Sequence, residues 1–521
     1  MTYTNATTQK RASDRPRPGR ATVPCLTLLA HVDARRIGER TVLPQLLVGQ
    51  SVGVSRLEPS FAAVASGSPL RPLNDTYLSR KAICTLAGTP NGGVQLEPGA
   101  GDVTVDGERL GAPRVCTREE LSRGLVLALG DRAAVLLHLT TNPAQFPLPG
   151  VLGASDAIAA VREEITRLAD TLVPILIRGE TGAGKECVAR AIHDLGPRAK
   201  REWVAVNMAA MAESIAVATL FGHAKGAFTG AQGRHQGVFE RASGGTLFLD
   251  EIGETPESVQ PMLLRTLETG RILSVGDEAE RELDVRVIAA TDANLEREVA
   301  TGSFRAALLH RLAGYEVQIP ALRERRDDIA RLFVHFLDTE LRQLGDALLV
   351  EPASPDELKL PVNVVVRMVL HPLPGNVRQL RNIARTAAIA NRGAASIVIG
   401  DGLERLLAPA APTQRSEGNA APLDAPIDVQ KRPAELTEEQ VLAALEQHGW
   451  SPGRTAASLG LATSTLHDLL RRLGIRRAAD LSEAELRDAE SKFGGDFGTM
   501  ARSLRVSERA LRLVFGARKG R

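Results

Sequence analysis

Aromatic side chains are scarce in this 521-residue chain, which has two Trp, three Tyr and twelve Phe, or 3%. Its interiors must therefore be built from aliphatic residues. Cysteine is scarcer still. Cys25, Cys84, Cys116 and Cys187 lie far apart and form no C-x-x-C pair, which excludes a disulfide scaffold and gives no zinc-ligand spacing. No uncharged apolar run reaches the roughly 20 residues that a membrane-spanning helix requires, and MTYTNATTQKRASDRPRPGR at the start lacks the apolar stretch of a signal peptide. A cytoplasmic protein with no membrane partner is expected. Excess charge is missing too: 64 basic against 62 acidic residues give a net charge of +2, so any contact with nucleic acid must be local. What remains is 43% hydrophobic and 24% charged, ordinary for folded protein, in a chain too long for one core.

The chain divides by pattern. Residues 1–22 are polar and rich in Arg and Pro, and are expected to be a disordered basic arm. Residues 23–141 carry short apolar runs such as CLTLLAHV, KAICTL and LVLALGDRAAVLLHLT between Gly, Pro and Asn turns, which predicts an all-β sandwich. Residues 150–405 alternate helical periodicity with the apolar runs VPILIRG, TLFLDEI and VRVIAAT, as a parallel sheet covered by helices requires. An Ala- and Pro-rich linker at 406–433 leads to a helical end at 434–521. That end repeats itself: a shift from Leu436 to Leu481 superposes two segments without a gap, matching Gly449 to Gly494 and Gly453 to Gly498. Two helical units, 434–477 and 478–521, are expected.

VPILIRGETGAGKE runs from a strand into Gly179, Glu180, Thr181, Gly182, Ala183, Gly184, Lys185 and Glu186, then into a helix. A glycine-rich turn lets backbone N–H groups approach phosphate closely, and the helix N-terminus adds favourable dipole charge. Lys185 would hold the β- and γ-phosphates; Glu186 stands where the general pattern has Ser or Thr. GGTLFLDEI ends a second strand on Asp250 and Glu251, suited respectively to a Mg²⁺ ligand and a water-polarising carboxylate. ATP and Mg²⁺ are the expected cofactors.

With these elements in place, residues 150–405 resemble the AAA+ activators of sigma-54 RNA polymerase, the bacterial enhancer-binding proteins. The most specific segment is LFGHAKGAFTGA, which contains Gly226, Ala227, Phe228, Thr229, Gly230 and Ala231, the hexapeptide by which that family contacts sigma-54. Its end glycines suit a mobile loop and Phe228 an apolar anchor. The resemblance implies further roles: Asn207 as the switch residue pairing with Glu251, Arg305 and Arg311 as arginine fingers reaching a neighbouring subunit's nucleotide, and Arg378 as the second sensor. Fingers given between subunits imply a homo-oligomer, from dimer to hexameric ring. Two positions depart from the family: Asp292 replaces the usual first-sensor Asn, and Leu373 the usual Trp before Pro-Gly-Asn.

Residues 23–141 resemble a forkhead-associated (FHA) domain, a reader of phosphothreonine proteins, with Ser79 and Arg80 matching its phosphate-binding pair. The family's Gly-Arg is here Gly49 and Gln50, its structural His is Ala82, and its Asn before Gly is Asp106, changes that weaken anion binding. HGWSPGRTAASLGLATSTLHDLLRRLGI resembles a Fis-type helix-turn-helix, with Thr463 capping the second helix and Ser464, Thr465, His467 and Arg471 facing upstream promoter DNA. In the second unit Arg509 and Arg512 belong to a basic cluster suited to phosphates. The expected function is a sigma-54-dependent regulator that binds upstream DNA and spends ATP to open the promoter under control of the FHA-like part. A hydrolysis-deficient regulator or adaptor that acts by binding only is the alternative, with Asp292 as its best support.

Overall fold

The computed structural model describes residues 21–64, 68–142, 148–227, 233–347, 359–394, 396–398 and 400–407, with isolated positions at 488, 489, 492, 493 and 500. Residues 1–20 of the expected arm at 1–22, and nearly all of the linker and the two C-terminal units, lie outside these residues. Thr463, Ser464, Thr465, His467, Arg471, Arg509 and Arg512 are therefore not described, nor are Phe228, Thr229, Gly230 and Ala231.

The first ten strands are β1 (Val23–Ala30), β2 (Arg40–Val42), β3 (Ser51–Val54), β4 (Cys84–Gly88), β5 (Val94–Pro98), β6 (Val103–Val105), β7 (Glu108–Arg109), β8 (Arg114–Cys116), β9 (Leu125–Leu129) and β10 (Ala133–Thr140). A short helix α1 (Arg118–Arg123), closed by a capping box between Thr117 and Glu120, precedes β9. The strands form an antiparallel six-stranded sheet ordered β2-β1-β10-β9-β6-β7 and a four-stranded sheet ordered β3-β4-β5-β8. Leu26, Leu28, Leu127 and Leu137 of the first sheet pack with Val54, Leu86 and Leu96 of the second, so the N-terminal part is a β-sandwich. QLLV, whose apolar run in QLLVGQSV predicts a strand, instead completes a 3-10 turn over Pro44–Val48; Pro44 cannot donate to a strand ladder but suits the first position of a helical turn.

Next come α2 (Asp156–Ala169), β11 (Ile175–Arg178), α3 (Lys185–Leu195), β12 (Trp203–Asn207), α4 (Glu213–Phe221), α5 (Val238–Arg241), β13 (Thr246–Asp250) and α6 (Gln260–Thr269). A small hairpin of β14 (Arg271–Ile272) and β15 (Arg281–Glu282) follows, then β16 (Arg286–Thr291), α7 (Leu295–Thr301), α8 (Ala306–Leu312) and β17 (Tyr315–Gln318). β12, β13, β16, β11 and β17 form, in that order, an all-parallel sheet. The three apolar runs VPILIRG, TLFLDEI and VRVIAAT supply its central strands, buried on both faces by helices as parallel strands require. The C-terminal edge of the sheet carries the phosphate loop after β11, Asp250 at the end of β13 and Asp292 just after β16. A helical lid follows, made of α9 (Arg326–Gln343), α10 (Val362–Leu370), α11 (Asn376–Ala390) and α12 (Asp401–Leu407).

The sandwich and the lid share a hydrophobic core. Along β10, Ala133, Val135 and Leu137 face the inside of the sandwich, while the alternate residues Ala134 and Leu136 face α9 and α10. In β9, Leu125, Leu127 and Leu129 likewise point inward, and Val126 and Ala128 point to the lid, against residues that include Ile329, Phe333, Val362 and Val365. Each such buried Val, Leu, Ile or Phe side chain contributes on the order of 1.5–3 kcal/mol, enough in sum to oppose the relative motion that polar domain contacts usually permit. Polar links reinforce the seam. Arg40 donates to the Ala154 carbonyl at 2.9 Å and to Asp327 at 3.2 Å, Arg326 donates to the Gly124 carbonyl at 3.0 Å, and Thr140 Oγ1 donates to Asp156 at 2.7 Å. Among the described residues no helix is long and apolar enough to cross a membrane.

Candidate nucleotide site

The phosphate loop is shaped by its glycines. Gly182 and Gly184 have φ of 76° and 107°, a region that other residues enter only with strain. Gly184 is also the N-cap of α3, and no side chain caps that helix, so its first N–H groups face the loop without a competing protein oxygen from the cap. Lys185 is 7% exposed; its Nζ donates to the Gly179 carbonyl at 3.1 Å and lies 3.7 Å from Glu251. A cavity of about 930 Å³ opens over the loop, within the range of small-molecule sites. Thr181 to Val188, Asp250, Glu251 and Arg378 line one side of it, and Val151, Leu152, Ile158, Leu332 and Phe336 form an apolar wall on which a flat base can rest.

Three carboxylates gather at the strand ends. Burial pushes Glu251 above the usual carboxylate range; Lys185 opposes the rise, while Asp292 and Asp250 add to it. For Asp292 burial also acts upward, but a hydrogen bond from the Thr181 hydroxyl and the Lys185 charge outweigh it and hold the group below its usual value. Asp292 thus accepts from the phosphate loop at Thr181 and lies against Glu251. Glu251 itself sits at a φ of 51°, a conformation expensive for its side chain and typical of functional sites.

The other expected residues fall as follows. Asn207 ends β12 in register with Asp250, so the two strand tips are neighbours, but its side-chain oxygen accepts from the Ala210 amide and caps a 3-10 turn; the expected pairing with Glu251 is not what holds that oxygen. Arg305 precedes α8, where its backbone amide donates to Gln260, and Arg311 donates through Nε to the Leu267 carbonyl at 2.8 Å. The described lining of the cavity includes Arg325, Arg378 and Arg381 but neither Arg305 nor Arg311. Gly226, at a φ of 83°, and Ala227 lie where the chain leaves the bridged pair His223 and His235, and Ala227 touches the turn at Gly276. In the sandwich, Ser79 Oγ accepts from the Lys81 amide at 3.0 Å, and Arg80 is exposed.

Beyond Arg378, sequence reading missed what the lid contributes. Glu180, placed with the nucleotide-binding residues, sends its carboxylate to Arg323 and Asn376. Arg325, 3% exposed, and Phe336 join the cavity wall from α9 and the turn before it. The one available signal was Asn376 in LPGNV, an Asn directly after Pro-Gly and the kind of residue that tolerates a left-handed backbone.

For ATP and Mg²⁺ the donor set fits. Backbone amides, a helix N-terminus and Lys185 suit phosphates, and Asp250 offers the hard oxygen that a magnesium ion takes beside them. A phosphate loop on a parallel sheet, an acidic pair at the neighbouring strand end and a helical lid over the cavity define an AAA+ P-loop ATPase fold. Residues 151–318 match the sigma-54 interaction domain, and residues 323–419 match the AAA+ ATPase lid domain. The chain belongs to the family of sigma-54-dependent transcriptional activators. It is 38% identical over 361 residues to the anaerobic nitric oxide reductase transcription regulator NorR of Klebsiella pneumoniae (strain 342), covering 68% of each chain. It is 44% identical over 272 residues to the DNA-binding transcriptional regulator NtrC of Escherichia coli (strain K12), covering 51% of this chain and 56% of the relative. A crystal structure of NtrX from Brucella abortus in complex with ATP aligns at 32% identity over 62% of this chain and 69% of that one, with a TM-score of 0.44. The chain spans 63% of the length of nitric oxide reductase regulator NorR2 of Cupriavidus necator, to which it is 40% identical over 339 residues.

Proposed function

We propose that the protein is an ATP-driven activator of sigma-54 RNA polymerase. ATP bound at the loop of 179–186 is hydrolysed between protomers of a ring, and the loop Gly226–Ala231 delivers the resulting movement to sigma-54. The observation that carries this reading is the convergence of Lys185, Asp250, Glu251 and Arg378 on one cavity, in a domain whose chain also contains the intact GAFTGA segment. Lys185 neutralises phosphate charge, Asp250 supplies the metal oxygen, and Glu251 orients the attacking water. A magnesium ion held by Asp250 would supply further charge neutralisation.

The positions of Arg305 and Arg311 away from their own cavity support a role in a neighbouring protomer's site. The proposed boundaries remain 23–141 for an FHA-like regulatory part, 150–405 for the ATPase, and 434–477 and 478–521 for two DNA-reading helical units. Phosphothreonine recognition would run through Ser79 and Arg80, at an affinity lowered by Gln50 and Asp106, which remove a donor and add an acid.

Hydrolysis rate per protomer is the test. Measured against protein concentration it should rise steeply and then level off, and Arg305→Ala or Arg311→Ala should lower the plateau by roughly 10²-fold or more. A rate per protomer that is independent of concentration removes the intersubunit site.

A further inference from the structure

The phosphate loop is bonded to the lid at each of four consecutive residues. The Glu180 carboxylate accepts from Arg323 twice, at 2.7 and 2.6 Å, and from Asn376 Nδ2 at 3.1 Å. The Thr181 carbonyl accepts from the same Nδ2 at 3.1 Å, the Gly182 carbonyl from the Arg378 amide at 3.3 Å, and the Ala183 carbonyl from Arg325 at 3.4 Å. Asn376 is fully buried at a φ of 50°, and its Oδ1 accepts from the Leu322 amide at 2.7 Å. The approach is close enough that a Cβ on Gly182 would lie 2.4 Å from the Gly375 carbonyl oxygen.

Every one of the bonds between lid and loop ends on an oxygen of the loop. In a planar trans peptide, a carbonyl turned toward the lid turns the following N–H away from it. A carboxylate beside phosphate would repel it, so Glu180 facing Arg323 is serving the lid and not the nucleotide. We propose that Glu180, Arg323 and Asn376 are positioning residues that latch the lid to the phosphate loop, so that phosphate occupancy on one face of the loop is felt as lid movement on the other. The latch sits at the root of two lid helices, since Arg323 lies in the turn before α9 and Asn376 opens α11 beside Arg378. The proposal rests on the ATPase reading above.

Magnitudes decide what cutting the latch does. Arg323 and Glu180 are 42% and 44% exposed, and an ion pair so open adds little to folding stability, while its two-pronged geometry fixes orientation well. Loss of the pair should therefore show in turnover and leave the fold intact.

The test uses the full chain with Glu180→Gln and the charge-exchanged pair Glu180→Arg with Arg323→Glu. ADP affinity, kcat and KM for ATP, and amide hydrogen exchange over 321–330 with and without ADP are the readouts. Glu180→Gln should bind ADP within about threefold of the parent, lose about tenfold in kcat at nearly constant KM, and lose most of the ADP-induced protection of 321–330. The charge-exchanged pair should recover part of the protection. A loss of ADP affinity as deep as that of Lys185→Ala would make Glu180 a nucleotide ligand and overturn the latch, and so would an unchanged kcat. Should the parent protein bind no nucleotide, the ATPase reading fails separately. The nucleotide-free proteins then decide the latch itself: faster exchange over 321–330 in Glu180→Gln supports it, and equal exchange rejects it.

Discussion

Asp292 stands where the family resemblance of the sequence implies an asparagine. It brings a second acid against Glu251 and accepts from Thr181 of the phosphate loop, which in the proposed reading lies against the phosphates of ATP. Like charge at a few ångströms disfavours the triphosphate, and an amide of the same shape keeps the acceptor for Thr181 while removing the charge. Asp292→Asn should therefore lower KM for ATP by about tenfold, equivalent to ~1.4 kcal/mol, with a smaller change for ADP; steady-state kinetics alongside ADP titration checks this. Equal gains for ATP and ADP would place the acid away from the γ-phosphate. At this scale the sequence was most informative where the chemistry is local. Gly179 to Glu186 form one contiguous turn, so the motif itself specifies the backbone that folds around phosphate. The role of Glu180 was illegible because its partners Arg323 and Asn376 lie 143 and 196 residues along the chain.

Among the elements, β9 and β10 explain both the success and the limit of pattern reading. LVLAL and AAVLLHLT are apolar at successive positions, which identified strands but also announced that both faces are covered, as in a sheet buried from two sides. The second cover is α9 and α10, which the order of the chain separates from these strands. At that seam Asp327 is buried against Arg40; burial and the neighbouring Asp328 push its carboxyl up to about 7, with Arg40 opposing the rise. An acid with a folded pKa above its unfolded value of about 4 binds more protons in the folded state between those limits, so its contribution to stability falls as pH rises from about 4 to 7. Over this window the thermal unfolding midpoint of Asp327→Asn should therefore climb relative to that of the parent chain, so that the gap between the two changes with pH. A parallel slope in the variant would assign the pH dependence to other groups.

At the scale of the whole molecule, the physical connections form one path. The β-sandwich is packed on α9 and α10, α9 carries Leu332 and Phe336 on the wall of the cavity, and the turn before α9 holds the phosphate loop through Arg323. A domain that presses on the lid is thereby in mechanical contact with the loop that holds nucleotide, which gives the N-terminal part a route to the catalytic centre without touching it. In the proposed reading the same loop then drives the GAFTGA segment against sigma-54. The most direct test is promoter opening by sigma-54 RNA polymerase, followed by permanganate reactivity of unpaired thymines, with the full-length protein and its Lys185→Ala variant in the presence of ATP. The account predicts an open bubble with the parent chain and ATP and none with Lys185→Ala; bubbles of equal extent with the variant would contradict it.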